Sequence, residues 1–318
     1  MATKKNIIKN SFILIVLSFI LASCTSDAET WRLQLEKLSA EARTSVDNLG
    51  KHLNAGTIAK TSLLTQYAAI VKAQDPSLGE LTDTLALDAT VNGPSYKSLV
   101  NRVKEADAFL VTAPAQGLTT VQSLADEYQA IKTASRTDIY SMMLTDPINV
   151  LADMSKGKLG RVESMSKEAS LIANGAQDYG AGSQLIGNQQ YGQWRSNSSG
   201  GSFWEWYGKY ALFSSLFRSP IYYGGWSRGR NYSYYGEAGR NYYSSPRQQA
   251  QSRQTQSRTR TKFQREGKRF QSPYAKSKAG SRRATMQANS FKTARSSSRM
   301  ASSRSSSFRT SRSSYRGK

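Results

Sequence analysis

The 318-residue chain contains one histidine, His52, and one cysteine, Cys24. That scarcity limits its chemistry. A zinc or transition-metal site draws on several Cys, His or clustered carboxylates, and a Ser-His-acid set would have to use His52. Beside Lys51, that ring reads as a surface or boundary residue. There is no G-x-S-x-G elbow, no phosphate loop ending in Gly-Lys-Ser/Thr and no dinucleotide fingerprint. Asp126 and Glu127 are adjacent acids, and neighbours on a helix diverge. Paired carboxylates from distant helices are the one enzymatic route left, a polymer-acting enzyme. The first expectation is therefore no enzyme, with no catalytic residue, no metal and no cofactor.

Cys24 has a setting of its own. Lys4, Lys5 and Lys9 precede an apolar run from Phe12 to Ala22, broken only by Ser18. A basic start, a short apolar stretch and a small-residue junction make a secretory signal. The run falls short of the roughly 20 apolar residues of a comfortable span. Leu21-Ala22-Ser23-Cys24 resembles the lipobox of bacterial lipoproteins, and the whole arrangement resembles uncharacterised envelope lipoproteins of Gram-negative bacteria. The resemblance implies cleavage between Ser23 and Cys24, a diacylglyceryl thioether on Cys24, and acylation of the new amino terminus. By the sorting rule of that family, Thr25 after the cysteine implies the outer membrane, on its periplasmic side. A single cysteine in an exported chain otherwise needs a purpose, and lipid would provide one.

Charge divides the remainder. Residues 24–190 carry 15 basic and 19 acidic side chains, whereas residues 191–318 carry 26 basic and 3 acidic. The expected organisation is a signal peptide over 1–23, a helical domain over 24–175, a polar linker over 176–200, an aromatic and Gly-rich module over 201–247, and a disordered Arg/Ser-rich tail over 248–318. One core of about 150 residues is a reasonable domain, and the tail is too polar to offset its ordering entropy.

Apolar positions at spacings of three and four define the helical domain as an all-α antiparallel bundle. Trp31, Leu35, Leu38, Ala42, Val46, Leu49 and Leu53 mark a helix starting near Ala28. Leu63, Leu64, Tyr67, Ile70 and Val71 mark a second over 58–73. A short piece over 78–87 precedes the break at Asn92-Gly93-Pro94. With Ser95 as cap, Tyr96, Leu99, Val100, Val103, Ala106 and Phe109 follow, then Val121, Leu124, Tyr128 and Ile131. Asp146-Pro147 reads as a helix start with Asp146 as cap. Met142, Met143, Met154 and Met165 read as core filler.

Residues 191–243 hold 10 tyrosines, 4 tryptophans and 3 phenylalanines. Three readings stand: a carbohydrate surface, a membrane-interface belt, or a cap packed on the bundle. Packing or partner contact is favoured for Trp204, Trp206, Phe213 and Phe217. Exposure is favoured for the Gly-Arg-Asn-Tyr repeat, whose Tyr232, Tyr234, Tyr235, Tyr242 and Tyr243 suggest two short strands. Together with Trp204 and Trp206 these tyrosines form the expected aromatic surface. In the tail, Arg253, Arg258, Arg260, Lys262, Arg265, Lys268, Arg269, Arg282 and Arg283 are the candidate polyanion contacts, although a solvated spacer has the same composition. The expected function is a membrane-anchored lipoprotein that binds an anionic envelope component, namely lipopolysaccharide, peptidoglycan or anionic lipid, or else an envelope protein partner. Intracellular nucleic acid is not an expected partner. A scaffold using the apolar helix faces is the alternative.

Overall fold

A computed structural model describes the backbone over residues 2–198, 201–217 and 219–274, with side chains from Asp27 onward. The protein is mostly helical. Helix α1, Ala2–Asn54, is continuous, because nothing between Ala2 and Leu49 interrupts it: the stretch contains neither proline nor glycine. The expected start near Ala28 is therefore absent. The expected cleavage and lipidation at Ser23 and Cys24 lie outside the described side chains. Among the described residues no helix is long and apolar enough to cross a membrane.

Helix α2 spans Thr61–Gln74, α3 Gly79–Ala86, α4 Pro94–Leu110 and α5 Leu118–Ala134. Leu35, Ala42, Val46, Leu49 and Leu53 of α1 are buried as the spacing predicts, with α4 and α5 packed on that face. One carboxylate ties the three together. Asp107 on α4 accepts from Ser39 Oγ at 2.6 Å and Tyr128 Oη at 2.8 Å, and pairs with Arg43. Some stripe positions depart from expectation. Ile70 and Phe109 are exposed on helix faces that no neighbour covers, and Met165 is exposed in the loop before Lys167 rather than filling the core. Ser95 caps nothing: α4 starts after Gly93, and the buried Ser95 hydroxyl donates instead to Gln190 Oε1.

Short helices fill the centre. Helices α6, Thr137–Met143, and α7, Thr145–Met154, are buried on nearly every side, the mark of a core helix rather than a surface one. After α8, Lys167–Asn174, the expected linker is packed: Ser183, Gln184, Asn188, Gln189 and Gln190 are all buried. Left-handed Gly182 and Gly187 let this segment press on Phe213 and Trp226, where a Cβ would come within 2.6 and 2.8 Å of the rings.

Among the described residues the strands form one hairpin, β1 Gly192–Ser196 against β2 Ser202–Trp206, with Trp194 opposite Trp204. Helix α9, Tyr223–Trp226, follows. The expected Tyr232–Tyr243 strands are instead a π-helical turn, Tyr235–Gly239, running into α10, Arg240–Tyr243. Among the described residues one hydrophobic cluster runs from Leu35 to Tyr243, so the aromatic segment shares the core of the bundle.

The last element overturns an expectation. Residues 248–265 belong to a regular helix, α11, Pro246–Arg265. Ser245 and Gln248 form a reciprocal capping box, and Pro246 occupies the first turn, where its missing N–H costs nothing. The inward stripe is Thr255 and Thr259, whose hydroxyls bond back to the carbonyls of Gln251 and Thr255. A buried face of self-satisfied threonines carries no apolar period, so a search for one passes over it.

Candidate functional site

The aromatic residues are interior. Trp204, Trp206, Tyr232, Tyr234, Tyr235, Tyr242 and Tyr243 are at most 8% exposed, so they form no surface. Trp194 meets Trp204, Tyr223 and Trp226 with ring centroids 4.8–5.1 Å apart. Trp206 stacks on Phe213 and Phe217. Two of the buried phenols are anchored by hydrogen bonds: Tyr243 Oη donates to the Ala134 carbonyl at 2.8 Å, and Tyr235 Oη shares a 2.7 Å bond with Ser244. The rings wedge onto α5 and α7 because each buries far more apolar area than any exposed role would use.

Two buried carboxylates hold that wedge. Asp146 caps nothing in its own helix; Oδ1 and Oδ2 accept the backbone N–H groups of Tyr234 and Tyr235 at 2.6 and 2.9 Å. Burial pushes its carboxyl up to about 7 against those two hydrogen bonds. Asp88 accepts from Tyr191 Oη at 2.5 Å, and burial raises its carboxyl to about 6. Neither lines the clefts described below, and both serve as acceptors within the core. Among the described residues no cluster of three or more Cys, His, Asp or Glu could hold a metal ion. His52 is exposed at the end of α1, with Nδ1 2.8 Å from Thr57 Oγ1.

The basic candidates are partly brought together. Arg253, Arg258, Arg260 and Arg265 are exposed on α11, with Lys262 half-buried, and Lys268 and Arg269 are exposed just beyond it. Arg282 and Arg283 lie outside the described residues. No acid occurs between Glu237 and Glu266, so the helix carries a cationic outer face. Arg258 Nη1 donates to Ser196 at 3.1 Å, a contact between α11 and the hairpin, and Arg260 sits 5.8 Å from the ring of Phe270 in the segment that follows the helix. Lys268 pairs with Glu266.

Two clefts flank this helix. An apolar one of about 530 Å³ lies between α4, α5 and the start of α11, lined by Ala106, Ala108, Phe109, Leu124 and Pro246. A polar one of about 890 Å³ lies between α4, the 189–193 turn and the first turns of α11. Its lining is rich in glutamine, in particular Gln189, Gln190, Gln248, Gln251 and Gln254. None of these was singled out from the sequence. The available signal was two glutamine clusters, 189–193 and 248–254, which low-complexity composition disguised.

No protein-family model matches the chain, and neither the curated proteins nor the solved structures contain a significant match to it.

Proposed function

We propose that this is a lipid-anchored envelope protein of the outer membrane, acting without catalysis, that grips phosphate-bearing lipid headgroups through the cationic face of α11. The observation that carries this reading is that the basic residues stand on a capped, docked helix. Their spacing is fixed, whereas a spacer would need only their composition. Each Lys or Arg held near an anionic surface contributes about 1 kcal/mol, less with salt. Cys24 lies at the far end of the chain, so lipid and helix would be two separate attachments.

The test uses the full mature sequence in cells. Fatty-acid labelling should mark the wild type and not Cys24→Ser. When Cys24→Ser is exported behind a signal that leaves no lipid, it should stay on membranes at low salt and leave at high salt. Adding Arg253→Gln and Arg260→Gln should weaken the low-salt association about 30-fold, from about 2 kcal/mol of lost attraction. Salt-independent association, or no change on removing the two arginines, would sink the proposal.

A scaffold reading draws on the apolar cleft, which exposed Phe109 lines, and on the exposed Val111 and Leu118 that bracket the turn between α4 and α5. A cross-link from that cleft to an envelope protein, lost in Phe109→Ser, is the result that would favour it.

A further inference from the structure

The polar cleft beside α11 is lined unlike a core or a charged face. Six glutamines reach it, Gln189, Gln190, Gln193, Gln248, Gln251 and Gln254, and Tyr207 leaves 38% of its surface exposed at the rim. Three lining side chains are more than nine-tenths buried and hold a polar atom with no partner among the described residues: Gln189 Oε1, Gln190 Nε2 and Arg102 Nη2. Their remaining polar atoms are engaged, with Gln190 Oε1 accepting from Ser95 and Arg102 Nε donating to Glu127. The side chains are thus fixed in place while one acceptor and two donors stay unspent. Each buried polar atom left unpaired costs roughly 1–3 kcal/mol, and three of those among the described residues belong to side chains that line this one cleft.

We infer that this cleft binds a glycan rich in hydroxyl and acetamido groups, and binds it without cleaving it. A carboxamide presents a donor and an acceptor side by side, which matches vicinal hydroxyls and the acetamido group of an N-acetylhexosamine. The exposed Tyr207 ring gives an apolar face on which the C–H side of a sugar can lie. Lys97 and Arg247, also in the lining, suit an acidic substituent on such a chain. Hydrolysis of a glycosidic bond uses a pair of carboxylates across the scissile bond. Among the described residues that line this cleft, Glu105 is the only acid. A peptide is the less favoured occupant, since side-chain specificity there comes from apolar pockets and the lining offers only Pro94, Ala250 and the single Tyr207 ring.

The test is calorimetric titration of the full chain with the tetramer of N-acetylglucosamine, using tetra-alanine as the peptide comparison. Saturable binding of the sugar is expected. Tyr207→Ala and Gln254→Ala, both at the rim, should each weaken it about tenfold with the circular dichroism unchanged, and Gln190→Leu on the floor should abolish it. Arg253→Gln with Arg260→Gln should leave it intact, because neither arginine lines the cleft. Loss of sugar binding and loss of membrane association are thereby separable. No saturation up to about 10 mM sugar, indifference to both rim variants, or equal affinity for tetra-alanine would each overturn the inference.

Discussion

Replacing Asp146 with alanine is expected to destabilise the protein by about 3 kcal/mol at pH 5, and by less at pH 8. The carboxylate is fully buried and takes the N–H groups of two consecutive residues, Tyr234 and Tyr235. Alanine leaves both donors without an acceptor in a dry site, at roughly 1–3 kcal/mol each. The pH dependence follows from the raised carboxyl, about 7 against an ordinary value of 3.8. Between those values the folded state holds a proton that the unfolded state has released. Stability is therefore greatest below the unfolded value and falls as pH rises through the folded one. For Asp146 the loss across that window is about 4 kcal/mol. Asp88, raised to about 6 by burial, acts in the same sense over a narrower window. Wild-type protein should then unfold at lower urea at pH 8 than at pH 5. In Asp146→Ala that slope should shrink to the part that Asp88 supplies. Urea titrations followed by tryptophan fluorescence at pH 5, 6, 7 and 8 measure both quantities. A slope as steep in the variant as in the wild type would show that Asp146 does not titrate in this range.

Asp146 also shows where a linear reading of the sequence stops. Asp-Pro announces a helix start, and α7 does begin there, but the carboxylate is turned away to residues almost ninety positions later. Only a tertiary contact could reveal that. The bundle itself was legible, because burying one face of a helix imposes a period that Leu35 to Leu53 and Val121 to Ile131 display. The second half hid its core in polar residues. Gln184, Asn188, Gln189 and Gln190 are interior, and glycine turns with left-handed backbone lead the chain past them. Helix α11 hid in the same way behind Thr255 and Thr259. The tyrosine repeat was misplaced for the opposite reason. Its hydroxyls and arginines look solvent-seeking, yet the rings are buried, and Arg230 is buried with them, bonded to the Pro273 carbonyl and to Glu237. Composition put Arg253 to Arg265 in a disordered tail, whereas they stand on a capped helix.

Arg102→Met should cost about 3–5 kcal/mol, and restoring neutrality should recover most of it. Arg102 on α4 and Glu127 on α5 are 3% and 7% exposed, with Nε 2.7 Å from Oε1. The same guanidinium donates through Nη1 to the Tyr242 carbonyl on α10. Three elements meet at one cation, which thereby joins the bundle to the aromatic wedge. Methionine keeps much of the stem volume but leaves Glu127 as a buried charge without its partner, the situation in which loss of one member of a pair is most costly. Glu127→Leu should be similarly severe, because it strands the arginine. The double variant Arg102→Met with Glu127→Leu should lie well below the sum of the two, since neither charge remains to be desolvated. What it cannot restore is the donor to Tyr242, so a residual cost of about 1 kcal/mol should persist. A double-mutant cycle in urea measures the coupling. Additive losses would mean that the two side chains do not act as a pair. Because Arg102 also lines the glutamine cleft, the double variant, folded again but with a neutral floor, should bind the N-acetylglucosamine tetramer more weakly than the wild type. That outcome would tie the ion pair's place in the fold to the recognition beside it.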